Sequence, residues 1–444
     1  MSFKPYHYIT TLLMACCLIT SCKKTDDTDA AKQSAQTKTF SAEVATRWLN
    51  MELNMFRLPL AAGTTAPAAD RALAYAGITL YESVVPGMPA YQSLVGQLNQ
   101  LPLMPVTEPS KKYHWAASAN AALAVINRSL FPGTSQANKD SINNLETLLQ
   151  NQYALETDAE TLQRSIDFGR AVATAVFSWA ATDGTSAMPA TSTYTPPSGP
   201  GLWVPTTAGA FAVNPFHQMR RQMVTGSRDG ALAPAPIPYS ADPSSAFYAM
   251  GQEVYNIFVN RTPEQANIAM YHAEGSGYGG GSSMVAQLSQ LLSQTNSKLD
   301  KAALVYVKAG IGTYEGLTYT FIQKYTHNVL RPITYIRNVM GRADFNTMFA
   351  TPMYPEYPAG HPTNGGILAV MLANEFGTNL SFDFNYYDYL GRPARHYNNF
   401  EELAQEMAIA RVYAGIHFKP GVDAGVLVGK KVAQNILTKL RFLK

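Results

Sequence analysis

The sequence predicts an all-α protein built as helical bundles, with a pair of four-helix bundles as the expected arrangement. Three observations lead there. Apolar residues recur at three- and four-residue steps through most long segments. Alternation of period two, the mark of a half-buried strand, is sparse. Of the 444 residues, 46% are hydrophobic and 15% charged, enough for a large core between such helices.

In chain order the periodic segments are Ala42–Leu58, Ala68–Val85, Lys111–Leu130, Ser141–Tyr153 and Glu160–Thr182. A second series covers Ser244–Phe258, Pro263–Ala273, Ser282–Gln294 and Asp300–Tyr325. The last is Pro362–Phe376, Phe400–Ile416 and Ala424–Leu443. Two irregular regions interrupt them. Asp183–Gln218 is rich in Pro, Gly, Ser and Thr, holds Trp203, and is too long for a passive connector, so it reads as a lid or covering loop. Phe382–Asn399, rich in Tyr, Asn and Arg, reads as a second rim loop. The Gly-rich run Gly275–Gly281 lacks the Lys-Ser/Thr that completes a phosphate loop and reads as a flexible turn.

The first 22 residues stand apart. Lys4 precedes a short apolar run from Ile9 to Ile19, too short to span a bilayer. Ile19-Thr20-Ser21-Cys22 resembles a bacterial lipobox, in which the Cys is lipidated after cleavage. The expected organisation is a lipoprotein signal peptide over 1–22, a polar flexible tether over 23–40, and one all-α domain over 41–444. The three cysteines, Cys16, Cys17 and Cys22, all fall in the first part, so the domain itself has no thiolate chemistry and no disulfide. An exported protein is expected, anchored through lipid on Cys22 and facing the periplasm, the outer membrane or the cell surface. The formal net charge of +3 and the absence of a long basic run argue against nucleic acid as a partner.

Three segments carry chemistry: Lys324-x6-Arg331-Pro332, Pro358-Ala359-Gly360-His361, and Arg411-x5-His417. Lys324, Arg331 and Arg411 supply permanent cations for an oxyanion. Seven residues apart, Lys324 and Arg331 nearly share a helical face. Gly360 admits close backbone approach, and Pro362 suits a first helical turn, whose N–H groups also attract anions. Arg411 and His417 are expected near the end of the Phe400–Ile416 helix, with Lys419-Pro420-Gly421 as its stop.

The order and separation of these segments resemble the superfamily of type 2 phosphatidic acid phosphatases and vanadium-dependent haloperoxidases, in particular the bacterial haloperoxidases. The resemblance covers about residues 41–444, and the long separations favour the haloperoxidase branch. It implies vanadate as cofactor, bonded through His417 as the metal ligand. Lys324, Arg331, Gly360, His361 and Arg411 would share in binding it. It further implies His361 as acid/base, Lys324 polarising peroxide, hydrogen peroxide and halide as substrates, and nonspecific organic halogen acceptors. Iodide, the easiest halide to oxidise, is favoured, then bromide. Members often assemble into homo-oligomers.

The chain departs from the family pattern twice. Ala359 stands where Ser is usual, removing one anion hydrogen bond worth about 1–3 kcal/mol at most. Gly421 stands where an Asp often follows the metal-binding His by four residues, and Asp423 is the nearest acid, which leaves open what orients His417. Phe321 and Tyr354 take positions where relatives carry Trp and Phe or His, the latter linked with halide choice, and read as pocket lining. His217, His272 and His396 are candidates for the pocket rim, and His114 for a surface or packing role. His327 is expected off the motif's face. Two alternatives share these residues: an acid phosphatase-type phosphomonoesterase working through a phosphohistidine at His417, and a non-catalytic oxyanion-binding lipoprotein.

Overall fold

A computed structural model describes residues 35–56, 68–274, 283–387 and 391–444. The lipobox and its cysteines, most of the expected tether and the Gly275–Gly281 run lie outside these residues. Helices dominate what is described. Those of the first half are α1 (Glu43–Phe56), α2 (Ala69–Val84), α3 (Trp115–Leu130), α4 (Gln136–Tyr153) and α5 (Ala159–Ala180). Then come α6 (Ala246–Asn260), α7 (Pro263–Tyr271), α8 (Ser283–Gln294), α9 (Leu299–His327) and α10 (Pro332–Asn338). The last three are α11 (Gly360–Phe376), α12 (Phe400–Tyr413) and α13 (Lys419–Lys439). Among the described residues no helix is long and apolar enough to cross a membrane.

Capping chemistry sets several boundaries that periodicity alone misplaces. The α4 helix begins five residues before the expected Ser141 because Ser135 accepts the Asn138 N–H at 3.2 Å, although residues 136–141 bury no apolar side chain. Conversely α3 begins after Lys111, where the His114 ring accepts the Ala117 N–H at 3.1 Å. Asp158, Ser245 and Asn399 cap α5, α6 and α12 in the same manner, and Thr262 with Gln265 forms a full capping box on α7.

The 29-residue α9 is the axis of the molecule. It is buried on nearly every turn, and Lys308, Glu315, Gln323 and Lys324 are buried along with its apolar residues. One side packs along α2, which continues through α3 and α5; the other meets α11. With α11, α12 and α13 it makes a four-helix bundle, while the first half is larger than the expected second bundle, since α1, α4 and α8 also pack into it. The α11 and α13 backbones nearly touch. A Cβ on Gly429 would lie 2.1 Å from the Thr363 carbonyl oxygen, and one on Gly425 2.3 Å from that of Ala359. Glycine is what permits that approach.

Three expectations need correcting. Residues 35–40 are no tether: Thr37–Thr39 form a 3-10 turn, the Thr37 hydroxyl donates to the Val84 carbonyl at 3.0 Å, and the Trp115 indole donates to that of Ala35 at 2.8 Å. Lys419-Pro420-Gly421 does not stop a helix; it is the first turn of α13, where the missing proline N–H costs nothing. The Phe382–Asn399 loop contains a two-stranded antiparallel ribbon, β1 (Phe382–Phe384) with β2 (Arg395–Tyr397). The region from Asp183 onward is ordered cover. Trp203, fully buried, donates its backbone N–H to the Asn328 carbonyl at 2.8 Å, and Val213 donates to that of Met353 at 2.8 Å. The strap thus closes over the turns that carry two of the three motifs.

Candidate active site

Each motif sits where a helix begins or ends. Lys324 lies in the last turn of α9, which ends at His327, and Asn328 then takes a left-handed conformation with φ of 51°. Arg331 is the residue before α10, not a continuation of α9. The two cations therefore converge through a turn and not along one helical face, because helix geometry stops three residues after Lys324. His361 is in the first turn of α11 and Ala359 precedes that helix with no side-chain cap. Arg411 belongs to the last turn of α12, which ends at Tyr413. Gly415, with φ of 79°, turns the chain so that His417 projects from the short loop before α13 and not from a helix.

These residues meet at one place. The Arg331 guanidinium is fully buried; its Nε donates to the Tyr354 carbonyl at 2.8 Å, and its Nη1 to that of Ile416 at 2.8 Å. Nη1 also lies 3.0 Å from Nε2 of His417. Lys324 Nζ, equally buried, donates to the carbonyls of Pro355 and Glu356 at 2.9 and 3.0 Å. A Cβ on Gly360 would lie 3.9 Å from Lys324 Cε. Arg411 Nη1 donates to the His272 carbonyl, and the His272 ring stands 6.1 Å from that of His361. Donors remain over: Arg331 Nη2, Arg411 Nε and His361 Nε2 are buried with no partner among the described residues. The first N–H groups of α11, on Gly360 and His361, are among those a helix leaves without an internal acceptor.

The electrostatics are one-sided. Burial holds Lys324 well below the ordinary lysine range; Arg331 adds to this and Glu356 opposes it. Burial also lowers Arg331 and Arg411. His417 is held well below the usual imidazole range by burial, then by Arg331, Lys324, Arg411 and His361. His361 is lowered too, by burial and then by Arg411 and His272. Both imidazoles are therefore neutral near pH 7. Arginine only donates, so the contact with Arg331 makes Nε2 of His417 the acceptor nitrogen. The proton is on Nδ1, which lies 2.7 Å from the Glu356 carboxylate.

Glu356 is the residue that motif reading misses. It is buried, and its Oε1 also accepts the Phe418 N–H at 3.1 Å. Burial pushes its carboxyl up to about 7, against the pull of Lys324 and Arg331. Asp423, the acid nearest in sequence to His417, is exposed and pairs with Lys419 at 2.5 Å. The signal available was the acid inside Tyr354-Pro-Glu-Tyr-Pro358, three residues before Ala359.

The other singled-out residues divide. Tyr354 packs its ring 4.9 Å from Lys324 Nζ and 4.7 Å from the Arg331 guanidinium, and Phe321 packs against it at 5.2 Å. His217 is buried against Phe321 at 4.9 Å. His272 is buried beside His361, its Nε2 3.0 Å from Glu406. His396 is exposed on β2, paired with Asp383, and does not join the site. His114 caps α3, and His327 packs on Tyr357 at 5.4 Å. Among the described residues no cluster of three or more His, Cys, Asp or Glu gathers for a bare metal cation.

Comparison with known proteins agrees with this architecture. Residues 305–443 match the family described as the VCPO second helical-bundle domain, a span that runs from within α9 through α13 and holds all three motifs. A bacterial vanadium-dependent iodoperoxidase of known structure superposes with a TM-score of 0.81 at 25% identity, over 91% of this chain and 98% of that one. A bacterial vanadium-dependent chloroperoxidase in its holo form superposes at 0.66 with 16% identity, over 87% and 94%. No curated protein matches the chain. Motif order, helical architecture and the matched domain together make this chain similar to the vanadium haloperoxidases.

Proposed function

We propose that this protein is a vanadate-dependent haloperoxidase that oxidises iodide, and less readily bromide, with hydrogen peroxide. One observation carries the reading. Lys324, Arg331 and Arg411 are buried side by side around His417, and none forms an ion pair with a carboxylate among the described residues. A buried cation with no paired carboxylate is costly, and the nearby Glu356 and Glu274 carboxyls, both pushed up to about 7 by burial, offset three cations only in part, so the cluster is made for an anion that arrives from outside. The spare donors on Arg331, Arg411 and His361 fit an oxyanion with several oxygens, and the lone pair on Nε2 of His417 fits its central atom. Vanadate satisfies both conditions.

Lys324, Arg331, Arg411 and the first N–H groups of α11 would hold the charge of that anion. His417 would bind through Nε2 while Nδ1 stays tied to Glu356. His361, neutral near pH 7, would take and return a proton at its ring nitrogen. Vanadate, when bound, supplies a Lewis-acidic centre that activates hydrogen peroxide toward attack by halide. The net change is oxidation of halide to hypohalous acid and reduction of peroxide to water, with one proton consumed. Tyr354 and Phe321 wall the approach. Iodide is the easiest halide to oxidise, and a structure that superposes over most of this chain is an iodoperoxidase, which supports iodide first.

The test is reconstitution of the mature chain with orthovanadate, followed by peroxide-dependent oxidation of iodide and bromide with and without excess phosphate. The expected result is vanadate-dependent turnover, faster with iodide, blocked by phosphate and absent in His417→Ala. Folded, vanadate-loaded protein that oxidises neither halide but hydrolyses a phosphate monoester would overturn the reading. We further propose, from the Cys22 motif, that the protein is exported and lipid-anchored; palmitate labelling that survives Cys22→Ala would refute this.

A further inference from the structure

The family pattern leaves position 421 without the acid that often orients the metal-binding histidine, and the structure shows a carboxylate in the same neighbourhood from elsewhere. A Cβ built on Gly421 would lie 2.2 Å from Oε1 of Glu356 and 2.8 Å from both Cδ and Oε2. The Glu356 carboxylate therefore occupies the space that a side chain at 421 would fill. That same Oε1 is 2.7 Å from Nδ1 of His417 and accepts the Phe418 N–H at 3.1 Å. The two observations are independent: one is a hydrogen bond, the other a steric exclusion.

We propose that Glu356 is the positioning residue of His417, delivered from the loop before α11 instead of from α13, and that the bare backbone at Gly421 is the condition for its entry. The inference rests on the reading of His417 as the vanadate ligand. A carboxylate on Nδ1 fixes the tautomer, keeps Nε2 as the lone-pair nitrogen and raises its basicity. Moving the acid to 356 has a second effect. The main-chain carbonyl of Glu356 accepts from Lys324 Nζ at 3.0 Å, and its N–H donates to the Val329 carbonyl at 2.9 Å. One residue thus fixes the ligand histidine through its side chain and a charge-bearing lysine through its backbone. An acid at 421 would reach only the first.

The experiment uses the full mature chain and two readouts that need no turnover: orthovanadate affinity by equilibrium dialysis, and the His417 tautomer by nitrogen NMR of the vanadate-free protein. Wild type is expected to bind and to show the proton on Nδ1. Glu356→Ala is expected to lose about 10–100-fold in affinity, the usual effect of removing such a partner. Gly421→Ala, whose methyl expels the carboxylate, is expected to lose a similar factor and to add nothing on top of Glu356→Ala. The exchange Glu356→Ala with Gly421→Asp is expected to regain most of the affinity, which a purely structural role for Glu356 would not allow. Glu356→Gln guards against misfolding: it keeps an acceptor at Oε1, so it should keep the tautomer while binding more weakly.

Wild-type affinity in Glu356→Ala, or no recovery in the exchange variant, would overturn the proposal. Absence of orthovanadate binding in wild type is a separate outcome, and it would overturn the reading of His417 itself.

Discussion

Replacing Arg331 by Met removes the best-defined anion donor while keeping an unbranched side chain of similar reach. In the native site Nε and Nη1 are committed to the carbonyls of Tyr354 and Ile416, whereas Nη2 has no partner among the described residues. Its two N–H groups are free for an anion. A hydrogen bond to a charged group is worth about 1.5–3 kcal/mol, so two give about 3–6 kcal/mol. At about 1.4 kcal/mol per decade, affinity should fall about 10²–10⁴-fold. The assay is thermal unfolding with orthovanadate, repeated with inorganic phosphate. At a concentration of about 100 times the wild-type Kd, binding stabilises by about 2.7 kcal/mol. An unfolding entropy of about 2.1 cal/mol/K per residue over roughly 400 residues converts this to a rise in Tm of about 3 °C. In Arg331→Met the same concentration supplies at most about 0.4 kcal/mol, a rise under about 0.5 °C. The change in Tm of anion-free protein is not diagnostic, since losing a buried cation and orphaning two carbonyls act in opposite directions. A full shift of about 3 °C in Arg331→Met would refute the anion-cradle argument.

Further outcomes follow from the same geometry. His361→Ala removes one anion hydrogen bond and should lose about 10–100-fold in orthovanadate affinity, and about 10²–10⁴ in turnover at saturating vanadate as the proton-transfer group goes, measured by iodide oxidation. Burial would raise the Glu406 carboxyl, but bonds from His272, Arg395 and Tyr397 outweigh this and pull it from 4.5 down to about 2. A depressed carboxyl pKa gives stability that is present above pH 4.5 and lost as pH falls toward 2, on the order of 3 kcal/mol. Glu406→Gln should therefore flatten the acid limb of a stability–pH curve; an unchanged limb would remove Glu406 as its source. Gly429→Ala, whose methyl meets the Thr363 carbonyl, should cost about 1–3 kcal/mol in denaturant unfolding, and a neutral result would show that α11 and α13 have slack.

The helices and the motif segments were legible from sequence for different reasons. Long amphipathic segments such as α4 and α5 announce themselves by period, because one face must be buried. The motif residues were legible as types, since three cations, two histidines and a glycine have few other uses in that order. Their spatial setting was not. The spacing of Lys324 and Arg331 suits one helical face, yet the left-handed Asn328 breaks it, and a single residue in that conformation leaves no periodic trace. Pro420 and Gly421 carry the same letters whether they end one helix or begin the next. Glu356 escaped because its partner, His417, is 61 residues away, and only the fold brings them together. His272 was legible as a rim candidate, but its burial against His361 follows from how α7 packs on α12.

The seam between α11 and α13 bears on how the anion enters. Where two backbones touch, no rotamer change can slide one helix along the other, so the Gly360 and His361 end of α11 and the His417 side of α13 form one rigid wall. On this wall a ligand needs no sliding of α11 along α13, only the parting of Arg331 Nη1 from Nε2 of His417. Its affinity is not divided by the fraction of a competent helix arrangement, and little ordering entropy is charged against it. Loading should then follow a single bimolecular phase, linear in anion concentration, with its rate set by access past the strap and its equilibrium by the cradle alone.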